Sequence, residues 1–201
     1  MKTEIEVKFL NVDFTQLREK LTQLGATCEQ PMRLMRRAII EPPHLAEKDA
    51  FVRVRDEGDK VTLTYKQFND HDAFSGVQEI ETVVGDFDAT VALLEKAGLP
   101  HKSLQESRRE TWRRGEVEVV LDEWPWLLPY VEIEGHSEEA VQNVAHELGF
   151  DWGNAVFGSV TAAYQMQYPE GDSRKLITLA EVLFDTPVPS IISGQKESHE
   201  L

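Results

Sequence analysis

The chain lacks several features by which protein classes are identified from sequence. Its one cysteine, Cys28, excludes an intrachain disulfide and a cysteine-based zinc site, and its histidines are scattered without ligand spacing. No apolar run approaches the roughly 20 residues of a membrane span. The first residues, MKTEIEVKF, are charged and lack the apolar stretch of a signal peptide. We therefore expect a soluble, cytoplasmic protein that does not bind membranes.

Basic residues are also in the minority. Lys and Arg number 21 against 36 Asp and Glu, which gives a formal net charge of −15. This balance argues against a broad surface for nucleic acid, although it is compatible with a local basic pocket. The length of 201 residues suits one domain, with or without an appendage.

Charged and apolar residues alternate in several segments, as they do on β-strands with one buried face. In residues 4–9, Glu4, Glu6 and Lys8 point to one side, and neighbouring carboxylates lie roughly 6–7 Å apart. The same reasoning predicts further strands, which cover residues 33–40, 51–55, 61–66, 77–84, 103–113, 116–122 and 130–134.

Helices are predicted by apolar residues at helical spacing behind a capping residue. The candidate caps are Asp13, Asp86 or Asp88, and Ser137. Further helices are predicted at 154–168 and 172–183. The segments 43–49 and 69–76 are expected to be loops. The chain beyond Thr186 is expected to fray. The order of one strand, one helix and then several strands occurs twice in the first 150 residues. This repetition predicts two similar halves of one sheet or barrel.

The charges on the polar faces of these strands are sorted by sign. The acidic ones are Glu4, Glu6, Glu79, Glu81, Asp122, Glu132 and Glu134, and the basic ones are Lys8, Arg53, Arg55, Lys66 and Arg109. Like charges at i and i+2 repel one another unless a ligand compensates them. Carboxylates suit Mg²⁺ or Mn²⁺, and guanidinium and ammonium groups suit phosphate oxygens. The pattern favours a polyphosphate–metal site, but periodicity alone leaves open that these faces only meet solvent.

The ordered motifs resemble those of the CYTH superfamily, the triphosphate tunnel metalloenzymes. The match begins with Glu4-x-Glu6-x-Lys8 and covers roughly residues 2–165. It continues through Phe51-Val52-Arg53-Val54-Arg55, Leu63-Thr64-Tyr65-Lys66, Glu79-Ile80-Glu81, Arg109-x-x-Trp112, Val120-Leu121-Asp122 and Val131-Glu132-Ile133-Glu134. Seven ordered pieces at compatible spacing argue against charged faces that only meet solvent.

The resemblance implies an α+β fold: a closed antiparallel barrel of about eight strands around a triphosphate tunnel, with helices packed outside. The tunnel domain would span residues 1–168, followed by a C-terminal helix and flexible tail, 169–201. The triphosphate would be held by Lys8, Arg53, Arg55, Lys66 and Arg109, the first four also being catalytic. Mg²⁺ or Mn²⁺ would be held by Glu4, Glu6, Glu132 and Glu134, with Asp122 and Glu81 assisting.

Family members hydrolyse inorganic or organic triphosphates, or act as class IV adenylyl cyclases that convert ATP to cyclic AMP and pyrophosphate. The strong motifs serve the triphosphate in both reactions, so they do not separate the two. We favour hydrolysis, with the cyclase and a non-catalytic polyphosphate- or nucleotide-binding module as alternatives. A lysine that some hydrolases carry in a late helix is absent from residues 159–166. The expected assembly is a monomer or a homodimer.

Overall fold

The structure is a computed structural model, and it describes residues 5–68 and 77–194. The strands are β1 (Ile5–Leu10), β2 (Thr27–Ile40), β3 (Ala50–Asp56), β4 (Val61–Phe68), β5 (Val77–Val84), β6 (Ser103–Arg114), β7 (Val117–Glu123), β8 (Tyr130–Gly135) and β9 (Glu181–Val182). The α-helices are α1 (Phe14–Gln23), α2 (Pro43–Ala46), α3 (Phe87–Lys96), α4 (Glu138–Glu147), α5 (Val160–Gln167) and α6 (Ser190–Ser193). Two 3₁₀ helices cover Trp152–Asn154 and Ser173–Thr178.

The fold is α+β, as predicted, with a large antiparallel sheet. Its hydrogen-bonded strand order is β1-β8-β7-β6-β2-β3-β4-β5, and β9 adds a short parallel pairing to β6. The order begins at β1 and ends at β5, and no pairing between these two strands is found within the described ranges. Closure of the sheet into a barrel therefore stays a prediction.

The chain divides into two compact units. Of the described residues, the first unit comprises 5–33, 107–176 and 184–194, and the second comprises 34–68, 77–106 and 177–183. The strands β2 and β6 contribute residues to both units. The predicted domain boundary at residue 168 stays a prediction.

In the first unit, α1 and α4 cover one face of the strands β1, β8 and β7. The buried apolar residues of this core include Val7, Leu21, Val119, Ile133 and Val141. Each helix begins at the predicted cap: the Asp13 carboxylate accepts from the backbone N–H of Thr15 at 2.8 Å, and the Ser137 hydroxyl accepts from that of Ala140 at 3.2 Å. The alternation of the strands leaves their charged residues on the opposite face.

The second unit repeats this arrangement with α3. Asp86 is the cap, accepting from the backbone N–H of Ala89 at 2.7 Å. The helix packs Phe87 against residues of β2 and β3, of which Ile40 and Val54 are fully buried. The other face of β3 again carries the charged residues, Arg53 and Arg55, which alternate with the buried ones.

Four predicted segments are wrong in the structure. Residues 43–46 form the single turn α2, because Pro43 occupies a first-turn position, which its fixed φ favours. The helix predicted at 154–168 begins only at Val160, because Val156 pairs with Lys8 as an extended residue. The helix predicted at 172–183 is a 3₁₀ helix followed by β9, where Val182 pairs with Gln105.

The fourth correction concerns the chain beyond Thr186, which was expected to fray. Its described part forms α6, and Ile192 on this helix is buried. The predicted loop 69–76 and the final residues 195–201 lie outside the described residues. None of the helices in the described ranges combines the length and apolar character needed to cross a membrane.

Candidate functional site

Three carboxylates of the first unit meet on the charged face of β1 and β8. The antiparallel register sets Glu6 opposite Glu134 and Lys8 opposite Glu132, so all four side chains lie on one face. Each of the three glutamates has a carboxylate oxygen within 4.8 Å of those of the other two. Both predicted Glu-x-Glu strands thus contribute to one group, although Glu4 itself lies outside the described residues.

Lys8 lies among these carboxylates and is 2% exposed. Its Nζ donates to Glu6 Oε1 at 2.6 Å and to the carbonyl oxygen of Gly158 at 2.6 Å, and it lies 3.0 Å from Glu132 Oε2. The backbone of Lys8 also exchanges two hydrogen bonds with Val156, at 2.9 and 2.8 Å. Lys8 is therefore held at both its backbone and its ammonium group.

The electrostatics of this group favour bound cations. Burial alone would lower the pKa of Lys8, but the nearby carboxylates of Glu132 and Glu6 outweigh it and raise that pKa. Burial raises the pKa of Glu132, and the positive charges of Lys8 and Arg109 only partly offset the effect. A buried carboxylate group of this kind is stabilised by each positive charge placed beside it.

Arg109 on β6 meets the buried Asp122 on β7. Its Nε and Nη2 donate to the two Asp122 oxygens at 2.8 and 2.6 Å, and Nη2 lies 3.8 Å from Glu132 Oε1. Although burial acts against it, the Asp122 carboxylate raises the pKa of Arg109 further above its usual range. Burial raises the pKa of the Tyr130 phenol, and the charges of Asp122 and Glu132 and a hydrogen bond that the phenol donates to Asp122 add to this effect.

The second unit carries the predicted Arg-x-Arg pair on β3. The Nε atoms of both Arg53 and Arg55 are buried and have no hydrogen-bond partner among the described residues, although Arg55 Nη1 donates to Glu57 at 2.9 Å. Burial and the neighbouring charge of Arg55 lower the pKa of Arg53. Two partly buried guanidinium groups whose Nε donors are unpaired within the described ranges provide a suitable environment for an anion such as phosphate.

Lys66 and Glu81 lie on the neighbouring strands of the same unit. Lys66 Nζ is 2.9 Å from Glu79 Oε2, and Glu81 accepts a hydrogen bond from the hydroxyl of the buried Thr64 at 2.9 Å. The register places Arg53 opposite Thr64, and Thr64 opposite Glu81. Beside them is a cavity of about 270 Å³ lined by Arg37, Ile39, Glu41, Phe51, Arg53, Lys102 and Gln105.

The structure thus places the predicted site residues in two sets. In the first unit, Glu6, Lys8, Glu132 and Glu134 form one group, and Arg109 pairs with Asp122 beside it. Asp122 is not a member of the three-carboxylate group, and its assisting role at a metal stays a prediction. The second set, Arg53, Arg55, Lys66 and Glu81, belongs to the second unit.

Two partners of these residues are missing from the sequence-based site. The Gly158 carbonyl and the Tyr130 phenol contact Lys8 and Asp122, respectively. A backbone carbonyl carries no sequence signal, whereas Tyr130 precedes Glu132 by two residues and so shares its strand face. Side-chain periodicity would have found Tyr130, but only the fold reveals the Gly158 contact.

The donor set of the first unit fits a hard divalent cation. Glu6, Glu132 and Glu134 offer only carboxylate oxygens, which Mg²⁺ and Mn²⁺ prefer. Glu132 is buried while Glu6 and Glu134 are partly exposed, so the group has both a fixed ligand and access from solvent.

Comparisons with solved structures agree with this architecture. A conserved hypothetical protein from Pyrococcus furiosus has 20% identity and a TM-score of 0.55, over 76% of this chain and 94% of that one. A Pyrococcus horikoshii protein has 23% identity and a TM-score of 0.55, with the same two coverages. A candidate adenylate cyclase from Vibrio parahaemolyticus has 13% identity and a TM-score of 0.60, over 79% and 95%. At these identities the likeness concerns the fold alone.

The sequence itself matches a known domain family over most of its length. The match is to the CYTH domain and spans residues 2–153, which include every charged residue of the candidate site. None of the curated proteins matches the chain. This chain belongs to the CYTH domain family.

Proposed function

We propose that this protein is a divalent-metal-dependent enzyme that hydrolyses a triphosphate-bearing substrate. The observation that carries the proposal is the group formed by Glu6, Glu132 and Glu134, which contribute one carboxylate oxygen each within 4.8 Å of one another. A polyphosphate-binding module needs cationic residues more than it needs such a carboxylate group. The physiological triphosphate, the cytoplasmic location and the monomeric or homodimeric state stay predictions.

The three glutamates would hold Mg²⁺ or Mn²⁺, and such an ion, when bound, neutralises charge on phosphate oxygens. Lys8 and Arg109 of the first unit, and Arg53, Arg55 and Lys66 of the second, are the proposed phosphate ligands. The Nε donors of Arg53 and Arg55 support this role, since they are buried and no described residue accepts from them. Their task is to orient the chain of phosphates and stabilise its charge, because phosphoryl transfer depends mainly on positioning and electrostatics.

In hydrolysis, a water oxygen forms a bond to the terminal phosphorus while the bond from that phosphorus to the bridging oxygen breaks. The products are orthophosphate and the shortened phosphate chain, which takes the electron pair of the broken bond. The proton of the attacking water passes to solvent or to a phosphate oxygen.

Adenylyl cyclase activity is the second candidate function. The similarity in fold to the candidate adenylate cyclase from Vibrio parahaemolyticus favours it, and so does the absence of lysine from α5, where some hydrolases of the family carry one. In that reaction the ribose 3′-oxygen bonds to the α-phosphorus of ATP, and pyrophosphate leaves. A non-catalytic binding module is the third candidate.

Product analysis distinguishes these candidates. The purified protein is incubated with inorganic triphosphate, thiamine triphosphate and ATP, each with Mg²⁺, with Mn²⁺ and with a chelator. Orthophosphate that requires metal supports the proposal, and cyclic AMP with pyrophosphate from ATP would replace it with the cyclase. Triphosphate binding without any product would leave the binding module. The Glu132→Gln variant, purified in the same way, controls for contaminating phosphatases.

A further inference from the structure

Three protein oxygen atoms surround the Lys8 ammonium in this structure. An ammonium group carries three N–H donors, and its three close partners are Glu6 Oε1, Glu132 Oε2 and the Gly158 carbonyl oxygen, at 2.6, 3.0 and 2.6 Å. Lys8 is also 2% exposed, so water does not compete for these contacts. A phosphate oxygen could bind this ammonium only after one of the three partners has been released.

Two of the three partners belong to the carboxylate group that fits a metal. Glu6 and Glu132 each contribute to that group, and each forms an ion pair with the same ammonium. Within the described residues, the other cation near Glu132 is Arg109, at 3.8 Å, and its main contacts are with Asp122. Lys8 is therefore the principal positive charge that offsets the mutual repulsion of these carboxylates.

We propose that Lys8 is an exchangeable internal counter-ion of the metal site. Divalent cation binding to Glu6, Glu132 and Glu134 displaces the Lys8 ammonium from the two carboxylates and frees its N–H donors for the phosphate chain. This inference rests on the proposed function and adds an order of events, in which metal binding prepares the phosphate ligand.

The Gly158 carbonyl oxygen remains a hydrogen-bond acceptor for the Lys8 ammonium after its release from the carboxylates. The two backbone hydrogen bonds between Lys8 and Val156 anchor this segment to β1, so the Gly158 oxygen stays near Lys8 when the carboxylates turn to a metal. Because Lys8 and the metal compete for the same carboxylates, removing the ammonium should strengthen metal binding. A lysine that only supported the carboxylates would have the opposite effect, because its loss would disorder the ligands.

Metal affinity without substrate tests the proposal. Mn²⁺ binding to the full chain is measured by calorimetry and by the loss of its free electron paramagnetic resonance signal, for the wild type and for Lys8→Met. We expect the dissociation constant to fall by roughly tenfold in Lys8→Met, within the range usual for coupling between two binding events. Lys20→Met is the matched control: it removes the same charge from a lysine whose Nζ donates to the Leu148 carbonyl oxygen at 2.8 Å, and it should leave Mn²⁺ affinity unchanged.

The outcomes separate the counter-ion role from the proposed function. An unchanged or weaker Mn²⁺ affinity in Lys8→Met overturns the counter-ion role while leaving the proposed function standing. Equal tightening in Lys8→Met and Lys20→Met also overturns it, because the effect would then come from net charge alone. Absence of saturable Mn²⁺ binding in the wild type overturns the metal site and the proposed function together.

A second measurement uses the wild-type protein, so it tests the proposal even if the Lys8→Met variant does not fold. The Lys8 ammonium, assigned through its side-chain carbons, is followed by ¹⁵N NMR during titration with Mg²⁺. We expect its resonance to shift and its protons to exchange faster with solvent as Mg²⁺ saturates the site, with the Lys20 resonance unchanged. A Lys8 resonance that stays constant at saturating Mg²⁺ overturns the proposal.

Discussion

Arg109 and Asp122 face each other across β6 and β7 and form two parallel hydrogen bonds, at 2.8 and 2.6 Å. Asp122 is fully buried, and one third of the Arg109 side chain is exposed. Bidentate pairing fixes the plane of the guanidinium group, and Nη2 of the same group lies 3.8 Å from Glu132 Oε1. Asp122 thus determines how Arg109 is presented beside Glu132.

Replacing Asp122 should lower the stability of the protein, because Arg109 loses the carboxylate with which it pairs. We expect Asp122→Asn to lower the free energy of unfolding by about 3 kcal/mol, because it leaves a partly buried charge unpaired. The double variant with Arg109→Met should recover part of this loss. Urea unfolding of the two single variants and the double variant gives the coupling energy, and purely additive losses would contradict the pairing.

The pair of Glu110 and Arg18 should make the protein sensitive to acid. Burial alone would raise the pKa of Glu110, but hydrogen bonds from Arg18 and Trp112 outweigh it and lower that pKa. The stabilisation is therefore complete above the unfolded pKa of about 4.3 and is lost as the pH falls through the lower folded value. Urea unfolding at a series of pH values checks this prediction.

The matched variants for this pH series are Glu110→Gln and Glu147→Gln. The stability difference between wild type and Glu110→Gln should shrink as the pH falls below about 4. Glu147 forms an exposed pair with Arg114, and its replacement should change stability by less than about 1 kcal/mol at any pH. A constant difference for Glu110→Gln across the series would refute the prediction.

Gly158 should not tolerate a side chain. Its φ of +94° is unfavourable for other residues, although an added Cβ would find ordinary space, with the Ala162 Cβ 3.9 Å away. We expect Gly158→Ala to lower the free energy of unfolding by about 1–3 kcal/mol through backbone strain. Gly85→Ala, in open space and without a positive φ, is the control and should be neutral or slightly stabilising in thermal unfolding. Equal effects of the two changes would contradict this explanation.

Arg53 should contribute to binding at the expense of stability. Its Nε is buried and finds no partner in the part of the chain that the structure describes, so Arg53→Met should leave the free energy of unfolding unchanged or raise it. The affinity for inorganic triphosphate should fall by about tenfold or more, as expected for a lost hydrogen bond between charged groups. Arg36→Met, which breaks ion pairs with Asp56 and Asp88, should reduce stability and spare affinity. Calorimetry and thermal unfolding measure both quantities, and a reversed pattern would argue against the assignment.

Glu132→Gln should affect the metal more than the phosphate. Glu132 belongs to the carboxylate group and is nearly buried, so its replacement removes a negative ligand. We expect a higher Mg²⁺ concentration for half-maximal turnover, with less change in metal-free triphosphate binding. Glu123→Gln breaks a partly exposed pair with Arg108 and serves as the control. Identical metal activation in Glu132→Gln and wild type would contradict the ligand role.

Local patterns predicted the charged faces because side-chain direction in a strand follows from position. Glu6 and Lys8 share a face for this reason, and so do Glu132 and Glu134. The caps Asp13 and Ser137 were likewise predictable, because a cap acts on N–H groups two or three residues away. The late chain was mispredicted because long-range pairing, of Val156 with Lys8 and of Val182 with Gln105, overrides helical periodicity.

By itself, the sequence determined which residues carry charge, which faces they occupy, and to which family the chain belongs. Only the tertiary structure decided which of these charges meet. The register of β1 against β8 places Lys8 within reach of Glu132, and the return of the chain at Val156 brings the Gly158 carbonyl to the same ammonium. Periodicity is a property of a single strand, whereas strand register and the path of the chain near Val156 depend on the packing of the whole core. The local sequence therefore does not predict these contacts.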